Sequence, residues 1–205
     1  MFVVERLKQT LDNPALFNAL QLVIAGRQNI TRRLIREGLQ LGAGEQLLDV
    51  GCGTGEFANV AVGSYLGVDI NPKYIEYARQ KYGVGANHPE REFKVADVSS
   101  IEFAETGQKY PKAMFINSMH HLSDAQNRAV LAGIARVTTQ RFVVIDMDAE
   151  PDNPVSKFLA QQDRGDFVRP LAQQIELVKP FFEIEHTRTY YSGLTAQTLI
   201  VCRAR

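Results

Sequence analysis

The stretch Leu47-Leu48-Asp49-Val50-Gly51-Cys52-Gly53-Thr54-Gly55 decides how this chain folds. Its first four residues are a short apolar run with one acid, as expected of a strand buried on both faces. Three glycines at alternate positions follow, and without Cβ atoms they let a backbone turn tightly and admit a neighbour closely. Outward from here, strand and helix patterns alternate. Residues 65–69 form a second apolar run, and Pro72 opens a helix that reaches Tyr82. Runs at 93–96, 113–116 and 141–145 predict three more strands, and a helix over 124–137, capped by Ser123, separates the last two. A further helix is expected near 55–62, directly after the glycines. Such alternation implies crossover units and a parallel sheet with helices on both faces. Residues 182–190 and 197–203 face each other across a turn holding Gly193 and predict an antiparallel hairpin at one edge. The expected fold is α/β: a doubly wound, mostly parallel sheet of seven strands.

Upstream, Asn13-Pro14 reads as a helix start, with Leu16, Phe17, Leu20, Val23 and Ile24 at helical spacing and Gly26 as its stop. A second helix carries Ile30, Leu34 and Ile35 on one side, with Arg32, Arg33 and Arg36 largely elsewhere. Composition excludes several functions. Lys plus Arg and Asp plus Glu both number 23, so no general basic excess exists to hold nucleic acid by counterion release. Four His and two Cys, widely scattered, do not make a structural zinc site. The opening Met1-Phe2-Val3-Val4-Glu5-Arg6 breaks its apolar run with charge at once, unlike a secretory leader. No apolar run approaches the ~18 residues of a membrane span. A cytoplasmic protein of one domain is expected.

Ligands in doubly wound sheets sit at the carboxyl ends of the strands, where the strand order reverses. A phosphate loop would need Lys-Ser/Thr after its last glycine, and Glu56-Phe57 stands there instead. A dinucleotide fingerprint counted from Gly51 would put its third glycine at 56; that position is a glutamate, which repels a pyrophosphate. The motif, followed by Leu66-Gly67-Val68-Asp69-Ile70-Asn71, then Val95-Ala96-Asp97-Val98, then residues 115–122 (Phe-Ile-Asn-Ser-Met-His-His-Leu), resembles the class I S-adenosylmethionine-dependent methyltransferases. The four matches keep that family's order and spacing over about residues 45–147.

The resemblance implies a Rossmann-like fold, S-adenosyl-L-methionine as cofactor and S-adenosyl-L-homocysteine as product. It divides the single domain into N-terminal lid helices (1–43), a cofactor-binding core (45–147) and an acceptor-loop and hairpin region (148–205). Cofactor contacts are expected from Asp49, Gly51, Cys52, Gly53, Gly55, Asp69, Ile70, Asp97, Val98, Asn117 and Met119. Asp69 would bond both ribose hydroxyls, or else cap the following helix. Asp97 would meet the adenine amino group beside the Val98 N–H, or else cap its own loop. Asp49 would orient the glycine loop and reach the methionine amine through water. Cys52 reads as a small loop residue, since methyl transfer needs no protein nucleophile.

For the acceptor side, a base is required only if the accepting atom is protonated. His120 and His121 are the candidates, at most one facing the pocket. Asn117-Ser118-Met119-His120-His121 departs from the Asn/Asp-Pro-Pro-aromatic motif of relatives that methylate planar amino groups. The acidic run 146–152 reads as a solvated loop, with a Mg²⁺ site the alternative; no metal is expected. Arg164 and Arg169, and likewise Arg27, Arg32, Arg33 and Arg36, either bind an anionic group or pair at the surface. Tyr190 and Tyr191 either roof the acceptor pocket or pack. The resulting expectation is methyl transfer to a small molecule, with oxygen ahead of nitrogen or carbon. The alternatives are a silent cofactor-binding module, a protein or RNA methyltransferase, and a nicotinamide-dependent oxidoreductase.

Overall fold

The computed structural model describes residues 28–83, 90–100, 103, 107–162 and 165–205. Its strands are β1 (Leu47–Val50), β2 (Tyr65–Asp69), β3 (Arg91–Val95), β4 (Tyr110–Ile116), β5 (Thr138–Met147), β6 (Phe182–Ser192) and β7 (Thr195–Ala204). Its helices are α1 (Asn29–Leu39), α2 (Pro72–Tyr82), α3 (Asp124–Val137), α4 (Pro154–Gln162) and α5 (Leu171–Val178). The strands form one sheet in the order β3-β2-β1-β4-β5-β7-β6. The first five are mutually parallel, and β7 runs antiparallel to both β5 and β6. This is the sheet and closing hairpin expected from the sequence. The order reverses between β1 and β4, so the carboxyl ends of these two strands flank the crevice where such folds bind ligands.

Each face of the sheet has its own core. On one, Leu34, Ile35 and Leu39 of α1 and Ile75 and Ala78 of α2 pack over Leu47, Met114, Ile116, Val143 and Ile145. On the other, Leu131, Ile134 and Val137 of α3 and Leu177 and Val178 of α5 cover Leu48, Phe115 and Val144. All four residues of β1 are buried because both faces are covered, which is why the run lacks strand-like alternation. Among the described residues, no helix is long and apolar enough to cross a membrane.

The structure differs from, or adds to, what the sequence suggests in several places. The helix at 55–62 is only a short 3₁₀ turn, Ala58–Val60. A Cβ on Gly63 would lie 2.5 Å from the Glu45 carbonyl, so glycine there lets the chain entering β2 pass close to the backbone that precedes β1. Next, α1 contributes to the core layer: Leu34, Ile35 and Leu39 are 3%, 0% and 0% exposed. A Cβ on Gly38 would come within 2.8 Å of Val143 and 3.0 Å of Val201, so glycine there lets α1 sit directly on β5 and β7. The helix expected at 14–26 lies outside the described residues. Finally, α4 and α5 were not anticipated. The signal for α4 was present in Asn153-Pro154: the Asn153 side chain accepts from Val155 N at 2.8 Å, as Asn71 before Pro72 accepts from Lys73 N.

Candidate functional site

The glycine loop leaves β1 with Gly51, Gly53 and Gly55 at φ of +66°, +52° and +79°. The three glycines differ in what surrounds them. A Cβ on Gly51 would meet Ser118 Oγ at 2.6 Å, and one on Gly55 would meet Tyr82 at 2.9 Å and Phe93 at 3.0 Å. A Cβ on Gly53 would meet nothing within 4 Å. Gly51 and Gly55 therefore serve packing against β4 and β3, while Gly53 presents bare backbone to open space.

Asp69 ends β2 beside this loop. Its Oδ2 accepts from Gly53 N at 3.0 Å and its Oδ1 from Asn71 N at 2.8 Å, and Asn71 rather than Asp69 caps α2. Burial raises the Asp69 carboxyl above its ordinary range, against the pull of these backbone donors. Ile70 next to it is 70% exposed. Cys52 is buried, and burial pushes its thiol far up, so it stays protonated. Asp97 is exposed; its Oδ1 accepts from Ser99 N and Oγ at 2.8 and 2.6 Å, the loop-capping arrangement. Val98 is buried behind it, its carbonyl against Gly133 of α3.

Asn117 follows β4 in a left-handed conformation, φ 50°, rare for a residue with a Cβ. Its Oδ1 is buried with no hydrogen-bond partner. Ser118 Oγ donates to the Gly51 and Ile116 carbonyls at 3.3 and 3.0 Å, joining the end of β4 to the glycine loop. Met119 is 1% exposed and packs in the second core cluster.

His120 and His121, on the same 3₁₀ turn, have different surroundings. His121 is exposed, with its ring 4.0 Å from that of His120. His120 is 5% exposed, and its Nδ1 bonds the Asp146 carboxylate, which also accepts from His120 N at 2.9 Å and Met147 N at 2.7 Å. Asp146 therefore does not belong to a solvated acidic loop: it is 1% exposed and faces His120 across β4 and β5. No spacing rule links residues 120 and 146, so only the parallel pairing of the two strands brings them together.

The turn bearing His120 is held from behind. Asn127 Nδ2 donates to the carbonyls of Met119, Leu122 and Ser123 at 2.9–3.2 Å. Arg169, 7% exposed, donates to the Met119, Leu122 and Phe167 carbonyls and to Asp124. All its N–H directions are taken within the protein, so Arg169 is not directed at an acidic ligand; its ion pair with Asp124 reaches the surface only through the partly exposed Asp124 carboxylate. Arg164 and Arg27 lie outside the described residues. Arg32 pairs with Glu56 and Arg36 donates to the Asn59 carbonyl at 2.7 Å, so both tie α1 to the segment directly after the glycine loop. Arg33 stays on the solvated face with Glu37. Tyr190 packs, donating to Thr31 Oγ1 at 3.0 Å, and Tyr191 is 45% exposed.

Comparisons with known proteins bear on the family and the fold. A family profile described as a methyltransferase domain matches residues 47–141. An O-methyltransferase of Penicillium expansum is 35% identical over 135 residues, covering 60% of this chain and 48% of its own length. An O-methyltransferase of Aspergillus nomiae is 30% identical over 185 residues, covering 81% of this chain and 79% of its own. The chain spans about half the length of the Penicillium relative. Magnesium protoporphyrin IX methyltransferase from Synechocystis PCC 6803, solved with bound SAH, shares the fold with a TM-score of 0.65 at 18% identity. That match covers 88% of this chain and 84% of the other. With a glycine loop, an acid ending the second strand and relatives of this kind, the chain belongs to the class I S-adenosylmethionine-dependent methyltransferases.

Proposed function

We propose that this chain transfers a methyl group from adenosylmethionine to a hydroxyl oxygen of a small molecule, with His120 as the base. The buried His120–Asp146 pair at the ends of β4 and β5 carries this reading. The residues present suit the cofactor. Gly53 leaves open the space a Cβ would fill, and Asp69 is anchored by backbone donors with oxygen lone pairs left for ribose hydroxyls. Ile70 offers an exposed apolar face for a ring, and the unpartnered Asn117 oxygen suits an ammonium donor. Asp97 and Val98 would border the adenine. When bound, adenosylmethionine supplies a methyl carbon already activated by a sulfonium, open to in-line displacement.

The protein's share is alignment and one proton. A phenolic hydroxyl has a pKa of about 10, so at neutral pH it needs a base to become a good nucleophile. Asp146 bonds His120 Nδ1 and favours the tautomer protonated there, which makes Nε2 the basic nitrogen of the ring. The same carboxylate then stabilises the imidazolium. Arg169 and Asn127 hold the turn in place, and the segment at Gly165 and Phe167 lies against His120 and shields it from water: Phe167 N donates to the His120 carbonyl at 3.0 Å. The O-methyltransferase relatives support oxygen as the accepting atom.

The test is labelled methyl transfer from adenosylmethionine to a panel of hydroxylated aromatics, matched with amine and thiol analogues. Methylation of hydroxyls that falls at least a hundredfold in His120→Gln supports the reading. Methylation of amines alone, or activity untouched by His120→Gln, overturns it.

A further inference from the structure

Buried acids along the sheet are satisfied from within the protein. Asp49 is 1% exposed and accepts from the Tyr65 hydroxyl at 2.6 Å, and Asp146 is bonded to His120. Gln197 of β7 breaks this pattern. It is 5% exposed, and its Oε1 has no hydrogen-bond partner. A chain of hydrogen bonds fixes which end of the amide is which. The Thr195 hydroxyl spends its proton on the Ser192 carbonyl at 2.8 Å, so toward Gln197 it accepts, and Gln197 Nε2 donates to it at 3.4 Å. The nitrogen is thereby held and the oxygen is the free end. A buried carbonyl without a donor is rare and costly, and a ligand that brings the donor removes that cost.

The register places Gln197 beside the candidate site. It pairs with Met147, the last residue of β5, and with Tyr190 of β6. Alternation along β7 puts it on the same face as Leu199 and Val201, the side covered by α1. Tyr190 there bonds Thr31 in the first turn of α1. One residue before Met147 is Asp146, which holds His120. On the other side of β5 stands Asn117, whose N donates to the Ile145 carbonyl at 2.8 Å and whose Oδ1 is also unpartnered. Two buried amide oxygens thus flank the end of β5 on residues about 10 Å apart, two strand spacings. Met147, Tyr190 and Leu199 around Gln197 carry no charge. The position therefore suits a neutral donor, because a cation there would lose its hydration without a counter-charge.

We propose that Gln197 Oε1 is a specificity determinant for the methyl acceptor: it accepts a hydrogen bond from a second hydroxyl and so selects dihydroxylated aromatics over monohydroxylated ones. The proposal rests on the reading in which His120 serves the hydroxyl that is methylated. An acceptor with two hydroxyls presents one to His120 and the other to Gln197. An acceptor with one hydroxyl leaves the carbonyl buried and unpaired, which is how a polar pocket rejects an analogue lacking its donor.

The experiment compares phenol with catechol, resorcinol and hydroquinone in labelled methyl transfer, using the native protein and Gln197→Met, which keeps the side-chain length and removes both polar ends. In the native protein, kcat/KM for at least one diol should exceed that for phenol roughly tenfold to hundredfold, mostly through KM. Gln197→Met should bring the diol value to within about twofold of the phenol value. The melting point of the free variant should hold or rise, because an unpaired buried carbonyl is gone. A loss as large on phenol as on the diols would mark a merely structural role and overturn the proposal. A variant that keeps the diol preference would overturn it too, and a native protein without that preference would do so whatever the variant does. If the native protein methylates amines and no hydroxyl, the oxygen-directed reading itself falls, and the proposal with it.

Discussion

Replacing Gly53 by alanine separates ligand space from folding more cleanly than any other change in the loop. The left-handed φ of +52° costs a residue with a Cβ about 1–2 kcal/mol, and here the new methyl meets no protein atom within 4 Å. At roughly 2–4 °C per kcal/mol for a chain this size, the melting point of the free protein should fall by about 2–8 °C. Gly55→Ala has the same kind of backbone cost, plus overpacking of about 1–3 kcal/mol against Tyr82 and Phe93. It should therefore be the less stable of the two. The order reverses for ligand. At a hundredfold excess over the native dissociation constant, adenosylhomocysteine adds ~2.7 kcal/mol, or about 5–10 °C. The Gly53→Ala methyl occupies space the ligand needs. A hundredfold weaker site would retain only about 0.4 kcal/mol, roughly 1 °C. Thermal melts of both variants with and without adenosylhomocysteine make the comparison. A Gly53→Ala protein that keeps a shift above 5 °C would show that its Cβ does not point into the ligand site.

Four further outcomes follow from the same structure. Asp69→Ala removes a carboxylate anchored by two backbone donors and should weaken adenosylhomocysteine binding at least tenfold by calorimetry, since each charged hydrogen bond contributes ~1.5–3 kcal/mol. Asp146→Asn can donate to His120 Nδ1 and reverse its tautomer, so kcat should drop about 10²–10⁴-fold while ligand affinity stays within threefold. Arg169→Met leaves the Phe167 carbonyl without its guanidinium donor, whereas Asn127 still serves Met119 and Leu122. Unfolding by urea should show a loss of about 2–3 kcal/mol. The Asp49 carboxyl, raised in the fold, favours the native state fully below its unfolded pKa and loses that contribution as pH climbs through about 7. Free Asp49→Asn protein should thus gain stability over the native protein at pH 8, with the gap narrowing toward pH 5, as read from melting curves.

The electrostatics of the loop also explain why a glutamate is tolerated after the last glycine. Glu56 alone would repel an anion at that position, but α1 brings Arg32 to it and to the Phe57 ring, 5.8 Å from its centroid. The local charge is therefore balanced by a helix more than 20 residues upstream.

The sequence by itself determined the parts of this protein that depend on local order. The run Leu47–Val50 with its spaced glycines, the strand-helix alternation and the C-terminal hairpin were legible because burial on both faces and turn chemistry write themselves into neighbouring residues. The candidate cofactor positions Gly53 and Asp69 belong to the same class, each fixed by its place at a strand end. Tertiary structure alone decided what depends on contacts across the sheet. Parallel pairing of β4 with β5 joins His120 to Asp146, and the pairing of β1 with β2 lets Tyr65 pass Gly67 to reach Asp49. Arg169 shows the limit most plainly. Its charge suggested a surface role, but a loop returning beneath the His120 turn buries it and points its donors at backbone carbonyls. A charged residue's role follows from which acceptors the fold brings to it, and all but the Phe167 carbonyl lie 45–50 residues away in the chain.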